Sequence, residues 1–131
     1  MRIYIETSVI SAHEFGDEVL KRVTKRFFNL AMKKHHEMFT SDLTLAEAEK
    51  GSKMVQRKIV RVIKLYNLRT LYLNEDALIL ADQYIKQGVV PVKVAADAQH
   101  IAIATISAME VLVSWNLKHI VNLRTKPKLK R

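Results

Sequence analysis

Three carboxylates in this chain stand where a surface charge is not expected. Glu6 closes the run "RIYIE", Glu47 lies within "LTLAEA", and Asp97 interrupts "VAADAQHIAIAT", whose other residues are nearly all small or branched and apolar. Asn116 follows a further apolar run, "VLVSW". Gathering three anions in one partly dry crevice is strongly unfavourable unless cations or protons compensate. Oxygen donors with little nitrogen or sulfur suit a hard ion, Mg²⁺ or Mn²⁺, which is held by a few carboxylates and keeps waters for substrate phosphates. The chemistry such a set supports is phosphodiester hydrolysis, in which one ion activates and positions water and a second, if present, stabilises the leaving oxygen. A plainer role is open to each residue. Glu6 could cap the helix starting near Thr7, Glu47 could be an exposed helix residue like Glu49, and Asp97 could serve a helix N-terminus. Against the last, Ala95, Ala96, Ala98 and Ile101 around Asp97 argue for burial. His100, one turn on, is expected to support the site through hydrogen bonds rather than to ligate, while His35, His36 and His119 show no ligand spacing.

The elements that must deliver these side chains are legible in periodicity. "RIYIE" (2–6) alternates and ends at "TS", a helix N-cap signal, so a strand passes at once into a short helix. Val19, Leu20, Val23, Phe27, Leu30 and Ala31 recur at helical spacing between Asp17 and Lys34. "EMFTS" (37–41) reads as a strand whose Ser41 caps a helix over "DLTLAEAEKG", ended by Gly51 before a basic helix over 53–66. "RTLYL" (69–73) is strand-like, Asn74, Glu75 and Asp76 begin another helix, and "GVVP" (88–91) breaks it. Val94 to Ala108 is a helix rich in small residues, "VLVSW" (111–115) a buried strand, and "NLKHIVNL" a loop with one helical turn. Strands separated by helices predict an α/β fold: a three-layer α/β/α sandwich around a central parallel sheet of four or so strands. Sites in such sheets form at the carboxyl ends of the strands. Glu6 and Asn116 fall at such ends, and helices starting nearby could present Glu47 and Asp97 beside them.

The chain of 131 residues is expected to form a single domain over 1–123, followed by a basic tail, 124–131. Hydrophobic residues at 49%, three Gly and two Pro exclude a disordered or linker-rich class. Without cysteine, disulfides, thiolate metal sites and a Cys nucleophile are excluded. No run approaches a signal peptide or a membrane span, so no membrane association and a cytoplasmic location are expected. The net charge is +9, and five basic groups lie in the last eight residues, "RTKPKLKR", among them Arg124 and Lys126. A second cluster, Lys53, Arg57, Arg61 and Lys64, falls on one face of the 53–66 helix, opposite Val55, Ile59, Val62 and Ile63. A solvated helix face and a frayed tail would explain either cluster alone. Together they favour a polyanionic partner, since clustered cations release phosphate counterions.

"IYIETSVISA", "TSDLTLAEAEKG" and "AADAQHIAIATISAMEVLVSWNLKHIVN" resemble the signature blocks of PIN domains, specifically the VapC-like toxins of prokaryotic type II toxin–antitoxin systems. The blocks run in the expected order to about Asn122, and the Asp-Ala-x-His-x-Ala-x-Ala run with "SWNxKHI" is the most specific. The resemblance implies a Mg²⁺- or Mn²⁺-dependent endoribonuclease with an RNA substrate, commonly a homodimer and neutralised by a cognate antitoxin. Its acidic positions carry over to Glu6, Glu47 and Asp97, with Asn116 in the fourth place, and Thr7 and Ser114 stand where the family often has a hydroxyl. Three departures mark this chain. Glu6 replaces the usual Asp, Asn116 is neutral where Asp is frequent, and the basic tail stands where relatives continue, so a terminal sheet element is expected to be missing. These departures support an alternative, a catalytically impaired PIN-like module that binds nucleic acid or an antitoxin without cleavage. DNA is a third possible substrate, since nothing in the motifs reads a 2′-hydroxyl.

Overall fold

The structure, a computed structural model of the chain, describes residues 1–88, 95–116 and 119–122. The elements run β1 (Arg2–Ile5), α1 (Thr7–Phe15), α2 (Glu18–Lys33), β2 (Glu37–Ser41), α3 (Asp42–Glu49), α4 (Lys53–Leu65), β3 (Arg69–Leu71), α5 (Glu75–Lys86), α6 (Ala95–Ile106), β4 (Val111–Ser114) and β5 (His119–Asn122). They build one sheet in the order β3-β2-β1-β4-β5. The first four strands are parallel, with β1 in the middle pairing Ile3 to both Met38 and Val111.

The fifth strand corrects the expectation of a loop with one helical turn over "NLKHIVNL". Residues 119–122 pair antiparallel with β4, Leu112 facing Val121 in the register. Only four residues separate the two strands, too few for the crossover a parallel neighbour requires, so the chain can return only antiparallel. Ile120 and Val121, both β-branched, suit the strand that β4's open edge invites.

Alternation along the strands sends side chains to two separate cores, which makes the three layers. Ile3, Ile5, Met38 and Val113 pack with Val9 and Ile10 of α1, Phe28 of α2 and Ile59 and Val62 of α4. Tyr4, Phe39 and Leu112 point the other way, onto Ala77 and Ala81 of α5 and Ala98, Ile101 and Ala102 of α6. Alanines on both α5 and α6 let these helices pack closely against each other and the sheet. Truncating a fully buried member such as Ile5 to Ala is expected to cost about 2–5 kcal/mol. Among the described residues no helix is long and apolar enough to cross a membrane.

Helix starts follow local chemistry. The Leu20, Leu43, Val55 and Ala77 N–H groups donate to the side chains of Asp17, Ser41, Ser52 and Asn74. Past the end of α5, Gly88 takes φ +73°, the left-handed turn that lets a chain leave a helix. At the first helix the expected cap is displaced. Thr7 and Ser8 are already helical, the N-cap position is Glu6, and the Glu6 side chain makes no capping bond. β1 passes into α1 with no intervening loop, so both hydroxyls fall inside the helix and Glu6 is turned toward the end of β4.

Candidate active site

Glu6 is 3% exposed, an unusual burial for a carboxylate. Its Oε1 accepts hydrogen bonds from Ser8 Oγ and, at 2.7 Å, from Ser114 Oγ at the end of β4. Ser8 Oγ in turn accepts from the backbone N–H groups of Trp115 (3.0 Å) and Asn116 (3.3 Å). One serine thus gives its hydrogen to Glu6 and takes two from the neighbouring strand end. Asn116 joins through its backbone. Its residue is exposed, and among the described residues its side chain makes no hydrogen bond.

Glu47 comes from the far end of α3, three residues after Thr44 and so on the same helix face. Its Oε1 accepts from Thr7 Oγ1 at 2.7 Å and from His100 Nε2 at 2.9 Å. Hydroxyls brace this corner: Thr7 lies 3.0 Å from Thr44, Thr44 lies 2.8 Å from Thr40, and Thr40 donates to the Ile5 carbonyl. Burial pushes the Glu47 carboxyl up, but the hydrogen bonds from His100 and Thr7 outweigh it, and the net shift is below the usual carboxylate range. His100, on α6, is itself buried, and its other ring nitrogen, Nδ1, lies 2.6 Å from the Tyr4 hydroxyl.

Asp97 sits in the first turn of α6, one turn before His100. Burial pushes its carboxyl up, and the negative charges of Glu6 and Glu47 add to that push while His100 opposes it. Asp97 therefore lies within electrostatic reach of both Glu6, at the carboxyl end of β1 beside Ser114 of β4, and Glu47. Among the described residues Asp97 accepts no hydrogen bond, and no three His, Cys, Asp or Glu side chains are already gathered at metal-holding positions. The donor set nonetheless fits a hard cation. Glu6 and Glu47 each spend Oε1 on hydrogen bonds and leave Oε2, and the mutual repulsion at Asp97 is of the kind a cation relieves.

The basic stripe expected from the sequence lies on α4. Lys53, Arg57, Arg61 and Lys64 are all exposed on α4, with Ile59, Val62 and Ile63 buried beneath. This helix runs away from the carboxyl ends of the strands. Lys64, about 16 Å along the axis from Lys53, lines a surface groove with His36, Glu37 and Arg69, at the amino ends of β2 and β3. Arg61 is already engaged, its guanidinium 2.6 Å from Glu14. Arg124 and Lys126 lie outside the described residues.

The parts that Tyr4, Ser8, Thr40, Ser41 and Thr44 play in this network escape a reading of motifs. Tyr4 is the one hydroxyl among the apolar residues of "RIYI", and the hydroxyls of "TSDLT" (40–44) cluster where a strand meets a helix. That polar residue in a buried strand was the available signal.

A family profile described as PIN domain matches residues 3–117. The chain belongs to the PIN-domain family. A search of curated proteins finds no sequence match. Solved structures share the fold: Mycobacterium tuberculosis VapC20, described as a sarcin-ricin loop cleaving toxin, is 17% identical with TM-score 0.62, over 84% of this chain and 86% of that one. VapBC2 from Rickettsia felis, bound to a promoter DNA fragment, is 16% identical with TM-score 0.62 and covers 90% of each chain. VapBC-1 from nontypeable Haemophilus influenzae is 20% identical with TM-score 0.61, over 90% of this chain and 89% of that one.

Proposed function

We propose that this protein is a Mg²⁺- or Mn²⁺-dependent endoribonuclease, the toxin of a toxin–antitoxin pair. The observation that carries the reading is geometric: Glu6, held by Ser8 and Ser114, and Glu47, held by Thr7 and His100, stand with Asp97, one turn before His100, by the ends of two parallel strands. Glu6, Glu47 and Asp97 would hold the ion. When bound, it supplies polarisation of the scissile phosphate and lowers the pKa of water. The chain's own groups do the rest. Ser8 and Ser114 hold Glu6, Thr7 and His100 hold Glu47, Asp97 orients the attacking water, and Asn116 assists by hydrogen bonding or weak ligation at the rim. Lys53 and Arg57 start the path of the RNA backbone along α4, with Arg61, Lys64 and the tail residues Arg124 and Lys126 extending it. The domain spans 1–123 and the tail 124–131. A cognate antitoxin is a protein partner, a reading supported by the VapBC neighbours, and a second copy of this chain is the other partner proposed.

Purified protein free of antitoxin, incubated with RNA and with DNA across Mg²⁺ and Mn²⁺ concentrations beside Asp97→Asn, tests the reading. Cleavage of RNA that requires the metal and is lost in the variant is expected. Cleavage untouched by Asp97→Asn, or persisting under strong chelation, would remove the mechanism. A second reading, a PIN-like module that binds without cutting, is favoured by the lack of a gathered three-ligand set among the described residues and by the neutral Asn116. Salt-sensitive binding with no cleavage of either nucleic acid would establish it instead.

A further inference from the structure

We infer that Tyr4 and Ser41 are positioning residues that fix His100 as the neutral tautomer with its hydrogen on Nε2, aimed at Glu47. The inference follows from counting hydrogens in a space that water does not reach. Ser41 and Tyr4 are fully buried and His100 is 1% exposed, so each hydroxyl hydrogen needs an acceptor within the protein. Ser41 Oγ has two partners: the Leu43 N–H at 3.3 Å and the Tyr4 hydroxyl at 2.6 Å. The N–H can only donate, so the hydrogen of Ser41 goes to the Tyr4 oxygen. With that oxygen accepting from Ser41, the single hydrogen of Tyr4 goes to its other partner, His100 Nδ1, at 2.6 Å. Nδ1 therefore presents a lone pair, and the ring hydrogen sits on Nε2.

The far side of the ring gives an independent check. Nε2 lies 2.9 Å from Glu47 Oε1, and a carboxylate can only accept, so it requires a hydrogen there. Both ends of the imidazole thus demand the same tautomer. The opposite direction, Tyr4 donating to Ser41, strands the Ser41 hydrogen among buried atoms with nothing to receive it. Two consequences follow. The bond between His100 and Glu47 has one direction, Nε2 donating and Oε1 accepting. Glu47 Oε1 is gripped from two sides, by Thr7 and His100, and its other oxygen is presented in a set orientation. The effect on cleavage rests on the nuclease reading, but the tautomer does not.

Long-range ¹H–¹⁵N NMR of the His100 ring at neutral pH, in the full chain, reads the tautomer directly. The wild type is expected to show an unprotonated, hydrogen-bonded Nδ1 and a protonated Nε2. Tyr4→Phe removes the donor and shifts the Nδ1 resonance, and it lowers kcat for RNA about tenfold with KM nearly unchanged, the scale on which partners of ligand-holding histidines act. Ser41→Thr keeps the hydroxyl and leaves both readouts in place, whereas Ser41→Ala removes the donor to the Tyr4 oxygen, frees that oxygen to accept a ring hydrogen on Nδ1, and shifts Nδ1. This serine pair decides the matter even where Tyr4→Phe does not fold. A wild-type ring carrying its hydrogen on Nδ1, or an Nδ1 resonance indifferent to Tyr4→Phe and Ser41→Ala alike, overturns the proposal. Because the spectrum is read without substrate or metal, a protein that cleaves nothing still answers the tautomer question. A wrong tautomer in an active enzyme defeats this inference alone.

Discussion

The molecule contains the same three side chains twice. In the crevice, Glu47, His100 and Tyr4 form a chain through Nε2 at 2.9 Å and Nδ1 at 2.6 Å. On the α1–α4 side, Glu14, His13 and Tyr66 form another, through Nδ1 at 2.7 Å and Nε2 at 2.7 Å. Both histidines are buried, and both glutamates are held below the usual range: burial pushes each up and hydrogen bonds more than reverse it. What differs is the company. Glu14 meets the Arg61 guanidinium at 2.6 Å, and Tyr66 stacks on Phe28 with ring centroids 4.4 Å apart and planes 6° apart, so that trio is neutralised and packed between helices. Glu47 has no guanidinium bonded to it among the described residues, and its charge adds to that of Glu6 at Asp97. A Glu–His–Tyr chain is thus a holding device. Beyond it stands an arginine in one case and further carboxylates in the other.

The comparison can be broken most forcefully at the carboxylates. Glu47→Gln is expected to lower RNA cleavage by about 10²–10³-fold, the scale of losing one preorganised electrostatic group, while Glu14→Gln leaves kcat within about a factor of two. Parallel initial-rate measurements at fixed Mn²⁺ separate the two. Stability should respond the other way round. His13→Ala opens a cavity and strands Tyr66 and Glu14, costing about 2–4 kcal/mol in urea unfolding. Asp97→Asn should stabilise by less than about 1 kcal/mol once solvent screening is allowed for, seen as a higher Tm at neutral pH. Its sign follows from the raised carboxyl. The folded state binds that proton more tightly than the unfolded state, so stability falls as pH rises through the window between the two pKa values and stays reduced above it. Glu14 has the opposite sign. Its contribution is complete above the unfolded value of 4.5 and is lost as pH falls through the depressed folded value, so Arg61→Met should flatten the stability loss below about pH 4.5.

Much of this was legible from residues. Ser41 and Asn74 stand at helix starts because their short side chains reach the backbone, and the bounds of β2 coincide with the strand expected over "EMFTS". Glu6 and Asp97 were conspicuous because a charge among apolar neighbours has few physical excuses. β5 was hidden because its pairing depends on the free edge of β4, a partner that local pattern does not display. The role of Tyr4 was hidden for a related reason. A tyrosine in a buried strand looks like core until the chain meets Ser41, 37 residues away, and His100, 96 away. Arg61 shows the converse, a clear member of a basic stripe whose charge is claimed by Glu14 from another helix.

Glu6 and Ser114 are bonded across 108 positions of chain, and β1 meets β4 only when residues 111–113 arrive. During synthesis, at about 5–20 residues per second, the N-terminal strand and its Glu6 therefore wait several seconds for their counterpart. A growing chain that has formed β1, β2 and β3 still has no Asp97, no His100 and no hydroxyl from Ser114 to hold Glu6. Long-range closure of this kind is slow to fold. Here it means that the proposed site cannot assemble before residues 111–114 have been made.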